Sequence, residues 1–326
     1  MKIKVETHLD TLGIFAERYV PAGYFKQYSI EQKLEILSKV KGLDGVFIMY
    51  PVVPLPNDPD KLIKKLADFN LKVSNIYLDN VSDLKWKYGA FSDNSDKIRK
   101  ENIKFCMEFL DFCKAVKADS ALIWPAHDGF DYPFQVNYAD GWKYLVDSIR
   151  EIGEYKKDVK IAIEYKIKDP RQKIYISNVG KLMMLLNDVG LDNVGGTVDT
   201  GHAFMAQESI SESLVILDAH NKLFQIHLND NYRDADPDLI CGSINFWENL
   251  EFFYFLSKTK FDGFLNVDVL SPRIEREKTL QLAIDIVWKF KEMVDKLNKY
   301  SKEIEYNLKN YSFTDNYRLI SEIIFK

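Results

Sequence analysis

Short apolar runs alternate with longer amphipathic segments along most of the chain. The amphipathic segments carry apolar residues three and four positions apart, as Leu34, Leu37 and Val40 do, and this spacing predicts helices. The short runs are continuously apolar rather than alternating, which is typical of parallel strands that are covered by helices. Eight runs predict strands, and they occupy residues 3–8, 45–51, 72–78, 120–126, 160–166, 194–202, 224–230 and 263–269.

This order of elements predicts an α/β fold, a (β/α)8 TIM barrel with a C-terminal helical extension. We expect residues 1–285 to form the barrel, and residues 286–326 to form the extension, which is a candidate subunit contact. A doubly wound sheet is the alternative. It would need a glycine-rich turn after a strand to bind a nucleotide, and the chain has no G-x-G-x-x-G or P-loop pattern.

Composition limits the classes of function. The 326 residues are 46% hydrophobic and 29% charged, which is enough for a large core. A net charge of −5 argues against nucleic acid as the main partner. The N-terminal stretch MKIKVETHLD has no apolar h-region and no 18-residue apolar run is present, so we expect neither secretion nor membrane association. Cysteines 106, 113 and 241 form no disulfide framework or zinc pair, and we expect a reducing cytoplasm.

Metal-type ligands stand at the predicted carboxyl ends of four consecutive strands, where the active site of such a barrel lies. Each residue alone has an ordinary explanation, such as a helix cap or a core histidine. Together they would bury several carboxylates side by side, which is costly unless a divalent cation compensates. Oxygen-rich surroundings with one imidazole per ion suit Mg²⁺, Mn²⁺ or Co²⁺. The residues are Glu164 in strand five, Asp199 and His202 in strand six, His227 in strand seven and Asp268 in strand eight.

Glu164 and Lys166 end the fifth predicted strand together. They are two residues apart, so both side chains point to the same side of the strand, into the barrel mouth. We expect the carboxylate to hold metal and the ammonium to face the substrate.

Four short motifs follow in order along the chain. Residues 164–171 read EYKIKDPR, residues 199–202 read DTGH, residues 236–242 read DPDLICG and residues 268–273 read DVLSPR. They resemble the patterns E-x-K-x-x-E-P-R, D-x-G-H, D-x-D-L-x-x-G and D-x-x-x-P-R of the xylose isomerase-like TIM-barrel family. The resemblance is closest to its two-metal aldose–ketose isomerases, the xylose and L-rhamnose isomerases. WPAHDGFD at 124–131 echoes a tryptophan-containing motif of strand four.

The resemblance implies two divalent metal ions and a catalytic lysine. The first ion would be held by Glu164, Asp199, His227 and Asp268. The second would be held by His202, Asp236 and Asp238, and Asp199 could be shared between the two. The implied catalytic residues are Lys166, Asp268 and His202. In the loop after strand seven, Asp234 could replace one of the loop aspartates, and Asp230 also lies close to the site.

The chain departs from the pattern after strand two. Xylose isomerases carry a histidine there that helps to open the sugar ring, whereas this chain reads IMYPVVP. Tyr50, His8 or His127 could substitute as sugar contacts. Trp124 and Phe130 are candidates for excluding water from the substrate.

The function that the resemblance implies is an aldose–ketose isomerase that works by a metal-assisted 1,2-hydride shift. Its partner would be a small sugar, and a homodimer or homotetramer is expected. A ketose 3-epimerase normally uses one metal and two glutamates, and it is the first alternative. A non-catalytic sugar-binding barrel is the second.

Overall fold

The computed structural model describes residues 2–325, and eight parallel strands in it close into a barrel. The strands follow one another around the barrel in chain order, and β1 closes it by pairing with both β2 and β8. The predicted (β/α)8 barrel is therefore confirmed, and the doubly wound sheet is excluded. The strands are β1 Val5–His8, β2 Gly45–Tyr50, β3 Val73–Leu78, β4 Ala121–Ile123, β5 Ile161–Glu164, β6 Val194–Asp199, β7 Leu223–Leu228 and β8 Leu265–Val267.

Helices separate the strands, and their ends carry the expected signals. Ser29 and Gln32 form a capping box at the start of α1, and Asp58 caps α2 immediately before Pro59. Gly190 ends α5 in the left-handed conformation, with φ of 70°. The helices are α1 Ile30–Lys39, α2 Pro59–Ala67, α3 Asp96–Ala115, α4 Tyr138–Tyr155, α5 Val179–Val189, α6 Thr200–Met205, α7 Ile210–Ala219, α8 Phe246–Leu256, α9 Arg276–Leu297, α10 Ser301–Lys309 and α11 Phe313–Phe325.

The two faces of the strands pack into different environments. Ile161 and Ile163 of β5 join the main core between strands and helices. Ala162 lies between them in sequence and belongs to a small second cluster with Phe47 and Leu122. Alternate residues therefore point into the barrel, as strand geometry requires. Glu164 follows Ala162 on this inner face and reaches the mouth.

Strand register brings the ends of β5, β6 and β7 side by side. Asp199 of β6 stands opposite His227 of β7, and Glu164 of β5 stands opposite Thr197 of β6. Neighbouring strands are about 4.8 Å apart, so side chains from all three strands can reach one point.

The C-terminal helices pack on the outside of the barrel. Helix α9 spans the predicted boundary between residues 285 and 286, so the extension is continuous with the last barrel helix. Trp247 of α8 packs on Tyr317 of α11 with ring centroids 4.8 Å apart. A subunit contact through this extension stays a prediction. Within residues 2–325, no helix combines the length and apolarity needed to cross a membrane.

Candidate metal centre

Glu164, Asp199 and His227 bring one ligand atom each to a common point at the barrel mouth. These atoms lie within 4.8 Å of one another. His227 Nδ1 is 3.4 Å from Glu164 Oε1 and 3.8 Å from Asp199 Oδ2. All three side chains are buried. Three of the four residues predicted for the first metal thus converge.

A hydrogen bond to Gln225 orients the ring of His227. Its Nε2 lies 3.1 Å from Gln225 Oε1, and the Gln225 amide donates to Ser120 Oγ at 2.7 Å. With Nε2 as the donor, Nδ1 is left facing the two carboxylates, and it makes no hydrogen bond to any of residues 2–325. In metal-binding histidines, one ring nitrogen typically donates a hydrogen bond that fixes the tautomer, and the other nitrogen binds the metal. The surroundings of His227 fit this arrangement, with Nδ1 as the metal ligand.

Gln225 was not identified from the sequence. A signal was available, because Gln225 lies two residues before His227 and therefore on the same inner face of β7.

Asp199 has two structural partners besides its place in the cluster. It caps helix α6 by accepting a hydrogen bond from the His202 backbone N–H at 2.9 Å. Asn229 Nδ2 donates to its two oxygens at 3.2 and 3.0 Å. A Cβ at Gly201 would lie 2.0 Å from Asn229 Oδ1, so the glycine of the DTGH motif makes room for this amide. The cap and the amide fix the carboxylate in the site.

Asp268, the fourth predicted ligand, follows β8 and lies at the edge of the group. Its Oδ2 is 3.8 Å from His227 Nδ1. Its Oδ1 is 2.6 Å from Nε2 of His8, the last residue of β1. His8 is therefore brought to the site through a carboxylate.

The second predicted set, His202, Asp236 and Asp238, is arranged differently. His202 Nε2 lies 3.0 Å from Asp236 Oδ2, and Lys166 Nζ lies 2.8 Å from the same oxygen. Asp238 lies near Asp236, whose charge adds to the larger effect of burial in raising the pKa of Asp238. Within residues 2–325, only Glu164, Asp199 and His227 form a converging group of three ligands. The second set is close together but not gathered around one point.

The loop after β7 shows which aspartate reaches the site. Asp236 contacts His202 and Lys166. Asp230 instead accepts hydrogen bonds from the backbone N–H groups of Ile244 and Asn245, at 3.0 Å each, and organises the loop. Asp234 offers its backbone carbonyl to Lys168 at 2.8 Å. The contacts favour Asp236 over Asp234 as the loop carboxylate of the site.

Two carboxylates at the barrel mouth, Asp199 and Asp238, are poorly compensated. In contrast, His202 and His8 outweigh the effect of burial at Asp236 and Asp268 and lower the pKa of each. Burial raises the pKa of Asp199 to about 6, and the charges of Glu164 and Asp236 add to this effect. Burial also raises the pKa of Asp238 well above its usual value, reinforced by Asp236 and Asp268. Raised carboxyl pKa values mean that the site favours added positive charge, which a divalent cation would supply.

The pKa values of His227 and His202 are raised as well, but by neighbouring charge and against the effect of burial. Burial alone would lower the pKa of His227, but the Glu164 charge outweighs it and the pKa rises to about 9. For His202, burial is likewise outweighed by Asp199 and Asp236, and the pKa rises to about 10. In the absence of another cation, the imidazoles therefore hold protons that a metal ion would displace.

Lys166 and Trp124 form the wall beside the cluster. Lys166 Nζ lies 5.0 Å from the centroid of the Trp124 ring, and this ring stacks with His202 at 6.4 Å. Burial lowers the pKa of Lys166, but the charges of Asp236 and Asp169 outweigh it and hold the pKa above its usual range. The side chain is therefore a buried, charged ammonium at the mouth, as the sequence predicted.

Two other predicted sugar contacts, His127 and Phe130, lie in different surroundings. His127 Nε2 lies 3.2 Å from the Val81 carbonyl, and its Nδ1 makes no hydrogen bond to residues 2–325. Phe130 lies in a short antiparallel sheet formed by residues 129–130 and 173–174, where its ring packs on Tyr138 and Tyr175. These contacts do not bring Phe130 to the cluster.

The prediction that Tyr50 contacts the sugar is wrong. Its ring centroid lies 5.7, 5.6 and 5.1 Å from those of Phe105, Phe109 and Phe112 of helix α3. The side chain is thus on the outer face of β2, between strand and helix. Phe47, three residues earlier, has the inward position and lies 5.6 Å from the ring of His227.

Comparison with known proteins identifies similar chains. Residues 34–289 match the family model described as "Xylose isomerase-like TIM barrel". Xylose isomerase from Thermus thermophilus is 25% identical over 238 residues, which are 68% of this chain and 60% of that protein. The chain thus spans less than two thirds of the length of this curated relative.

Solved structures share the fold. An L-ribulose 3-epimerase superposes with a TM-score of 0.72 at 14% identity, covering 92% of this chain and 98% of that chain. A D-tagatose 3-epimerase-like protein gives a TM-score of 0.68 at 18% identity, covering 90% of this chain and 99% of that chain. At these identities the likeness concerns the fold alone.

Proposed function

The chain belongs to the xylose isomerase-like TIM barrel family, and from this we propose that it is a metal-dependent aldose–ketose isomerase. The observation that supports the proposal is the buried group of Glu164, Asp199 and His227 with a charged lysine beside it. This combination provides a place for a cation and a second positive charge next to it. Both are needed where a carbonyl oxygen gains negative charge in the transition state.

Glu164, Asp199, His227 and Asp268 are the residues that would hold the first divalent ion. When bound, such an ion supplies Lewis-acid polarisation of the sugar carbonyl and a grip on neighbouring oxygens. Oxygen donors with one imidazole suit Mn²⁺, Co²⁺ or Mg²⁺. The unpartnered Nδ1 of His227 and the raised pKa of Asp199 support this donor set.

The chain's own residues would do the rest of the work. Lys166 would stabilise the developing charge on the carbonyl oxygen, because its ammonium is buried and remains protonated. Trp124 would exclude water from the face of the sugar, which favours direct transfer of hydrogen between C1 and C2 over exchange with solvent.

A second ion on His202, Asp236 and Asp238 is part of the same proposal. Asp236 Oδ2 lies 2.8 Å from Lys166 Nζ and 3.0 Å from His202 Nε2, whereas its Oδ1 makes no hydrogen bond within residues 2–325. Oδ1 is therefore open to an ion, and binding there does not require Lys166 to leave Oδ2.

A ketose 3-epimerase is the second candidate, and one observation favours it. Within residues 2–325, a single three-ligand group is formed, as expected for a one-metal site. Such an enzyme needs a carboxylate on each side of C3 as acid and base, and Glu164 and Asp268 would have to take these roles. Against it, Asp268 is shorter than the glutamate that epimerases use at this strand.

An assay in deuterated water separates the candidates. A panel of aldoses and ketoses is incubated with Mn²⁺ or Co²⁺, then again with a chelator, and products are analysed by chromatography and NMR. An isomerase acting by hydride shift converts aldose to ketose without taking up solvent deuterium at C1 or C2. An epimerase places deuterium at C3 of a ketose. If neither product forms although metal is bound, both proposals fail.

A further inference from the structure

Four polar side chains join strands β3, β1 and β8 around the mouth of the barrel. Tyr77 of β3 donates its hydroxyl to Asp10 Oδ2 at 2.5 Å. The same Asp10 oxygen is 3.8 Å from His8 Nδ1, and His8 Nε2 is 2.6 Å from Asp268 Oδ1. The series Tyr77–Asp10–His8–Asp268 reaches the proposed metal centre through Asp268.

The two oxygens of Asp268 have different surroundings. Oδ1 is bound by His8, whereas Oδ2 points towards the ligand group, 3.8 Å from Nδ1 of His227. A carboxylate that is free to rotate loses conformational entropy when it binds an ion. The hydrogen bond to His8 fixes the carboxylate plane before an ion arrives.

His8 is itself held firmly. It directly precedes the 3-10 helix Leu9–Leu12, and its carbonyl accepts a hydrogen bond from Thr11 Oγ1 at 2.5 Å. Its ring is bracketed by carboxylates, with Asp268 at Nε2 and Asp10 at Nδ1. The side chain is only 10% exposed. Nε2 is therefore occupied by Asp268, whereas Nδ1 stands 3.8 Å from Asp10, beyond hydrogen-bonding distance.

We infer that His8 is a positioning residue of the metal centre, which holds Asp268 with one oxygen directed at the ion. The inference rests on the proposed function, because it assumes that the centre binds a divalent cation. Outer-shell partners of metal ligands typically contribute about 10- to 100-fold to metal affinity. His8 is expected to fall in this range.

The test compares metal binding by variants of the full chain. His8→Leu removes the donor to Asp268 and keeps an apolar side chain of moderate size. His8→Gln restores a donor, because the glutamine amide nitrogen stands close to the position of the imidazole Nε2. His220→Leu is the matched control, since His220 lies at the end of α7, exposed, with its Nδ1 2.8 Å from the Ile216 carbonyl. Calorimetry with Mn²⁺ gives the affinity, and visible absorption with Co²⁺ reports the coordination geometry.

We expect His8→Leu to weaken Mn²⁺ binding about 10- to 100-fold and to change the Co²⁺ spectrum. His8→Gln should recover most of the affinity, and His220→Leu should match the wild type. Wild-type affinity and spectrum in His8→Leu would overturn the inference. If His8→Leu does not fold, His8→Asn replaces it, because its shorter amide cannot reach Asp268; equal affinities of the Asn and Gln variants would then overturn the inference. A wild-type chain that binds neither Mn²⁺ nor Co²⁺ would instead refute the proposed function.

Discussion

The two halves of the barrel mouth differ in what their strands place there. Strands β5 to β8 place Glu164, Asp199, His227 and Asp268 at their carboxyl ends. In the other half, β1 contributes His8, which contacts the carboxylate of Asp268 rather than the proposed ion position. Strand β2 ends in the outward-facing Tyr50. The difference indicates a division of labour. One half would hold the cation, and the other would orient ligands and form walls.

Replacing a converging ligand should have the largest effect on this division. Glu164→Gln keeps the size of the side chain but removes its charge. We expect Mn²⁺ affinity to fall by more than about 100-fold, the upper range for outer-shell partners, and turnover to fall with it. Calorimetry and the sugar assay measure the two quantities.

Glu208→Gln is the matched control for Glu164→Gln. Glu208 accepts a hydrogen bond from Tyr165 Oη at 2.8 Å, and Tyr165 belongs to the outer core rather than to the mouth. Its substitution should leave metal affinity unchanged. Equal Mn²⁺ affinity in Glu164→Gln and Glu208→Gln would contradict the assignment of the β5–β8 half as the cation site.

Lys166→Ala tests whether the ammonium serves chemistry rather than metal binding. Removing one preorganised electrostatic donor typically lowers kcat by about 10²- to 10³-fold, and we expect this loss with Mn²⁺ affinity nearly intact. Lys168→Ala is the control, because the exposed Lys168 ammonium donates to the backbone carbonyl of Asp234 and not to a carboxylate of the site. Full turnover in Lys166→Ala would refute the catalytic role.

Gln225→Leu tests the support beneath the cation site. Loss of the acceptor at His227 Nε2 frees the ring to rotate, and we expect Mn²⁺ binding to weaken about 10- to 100-fold. The Co²⁺ spectrum should change as well. Gln281→Leu, on the exposed side of α9, is the control. An unchanged affinity in Gln225→Leu would show that His227 needs no fixed tautomer.

The sequence predicted the β5–β8 half well for a physical reason. Charged residues in an apolar run stand out, and strand periodicity places Glu164 and Lys166 on one face without further information. Gln225 was missed because its importance depends on Ser120, which lies across the barrel interior 105 residues away. Such a contact arises only when the barrel closes and side-chain lengths decide which groups meet.

The β1–β4 half was predicted less well, and β2 shows why, since it is apolar on both faces. In GVFIMY, the apolar character of every residue gives no sign of which positions point inward. The position of β1 beside β8 follows from barrel closure, but the contact between His8 and Asp268 depends on side-chain distances that the sequence does not give. An aromatic side chain such as that of Tyr50 suits a sugar contact and a core position between strand and helix equally well.

Tyr50→Leu should have the smallest effect on the chemistry, and it tests the outward placement of Tyr50. The ring fills space against α3, so its loss leaves a partly filled cavity, and we expect unfolding free energy to fall by about 1–3 kcal/mol. Because the side chain is on the far side of β2 from the cluster, kcat/KM and Mn²⁺ affinity should stay at wild-type values. Thermal denaturation and the sugar assay measure the two effects. A selective rise in KM with unchanged stability would place Tyr50 at the sugar after all, and would contradict the contrast between the two halves.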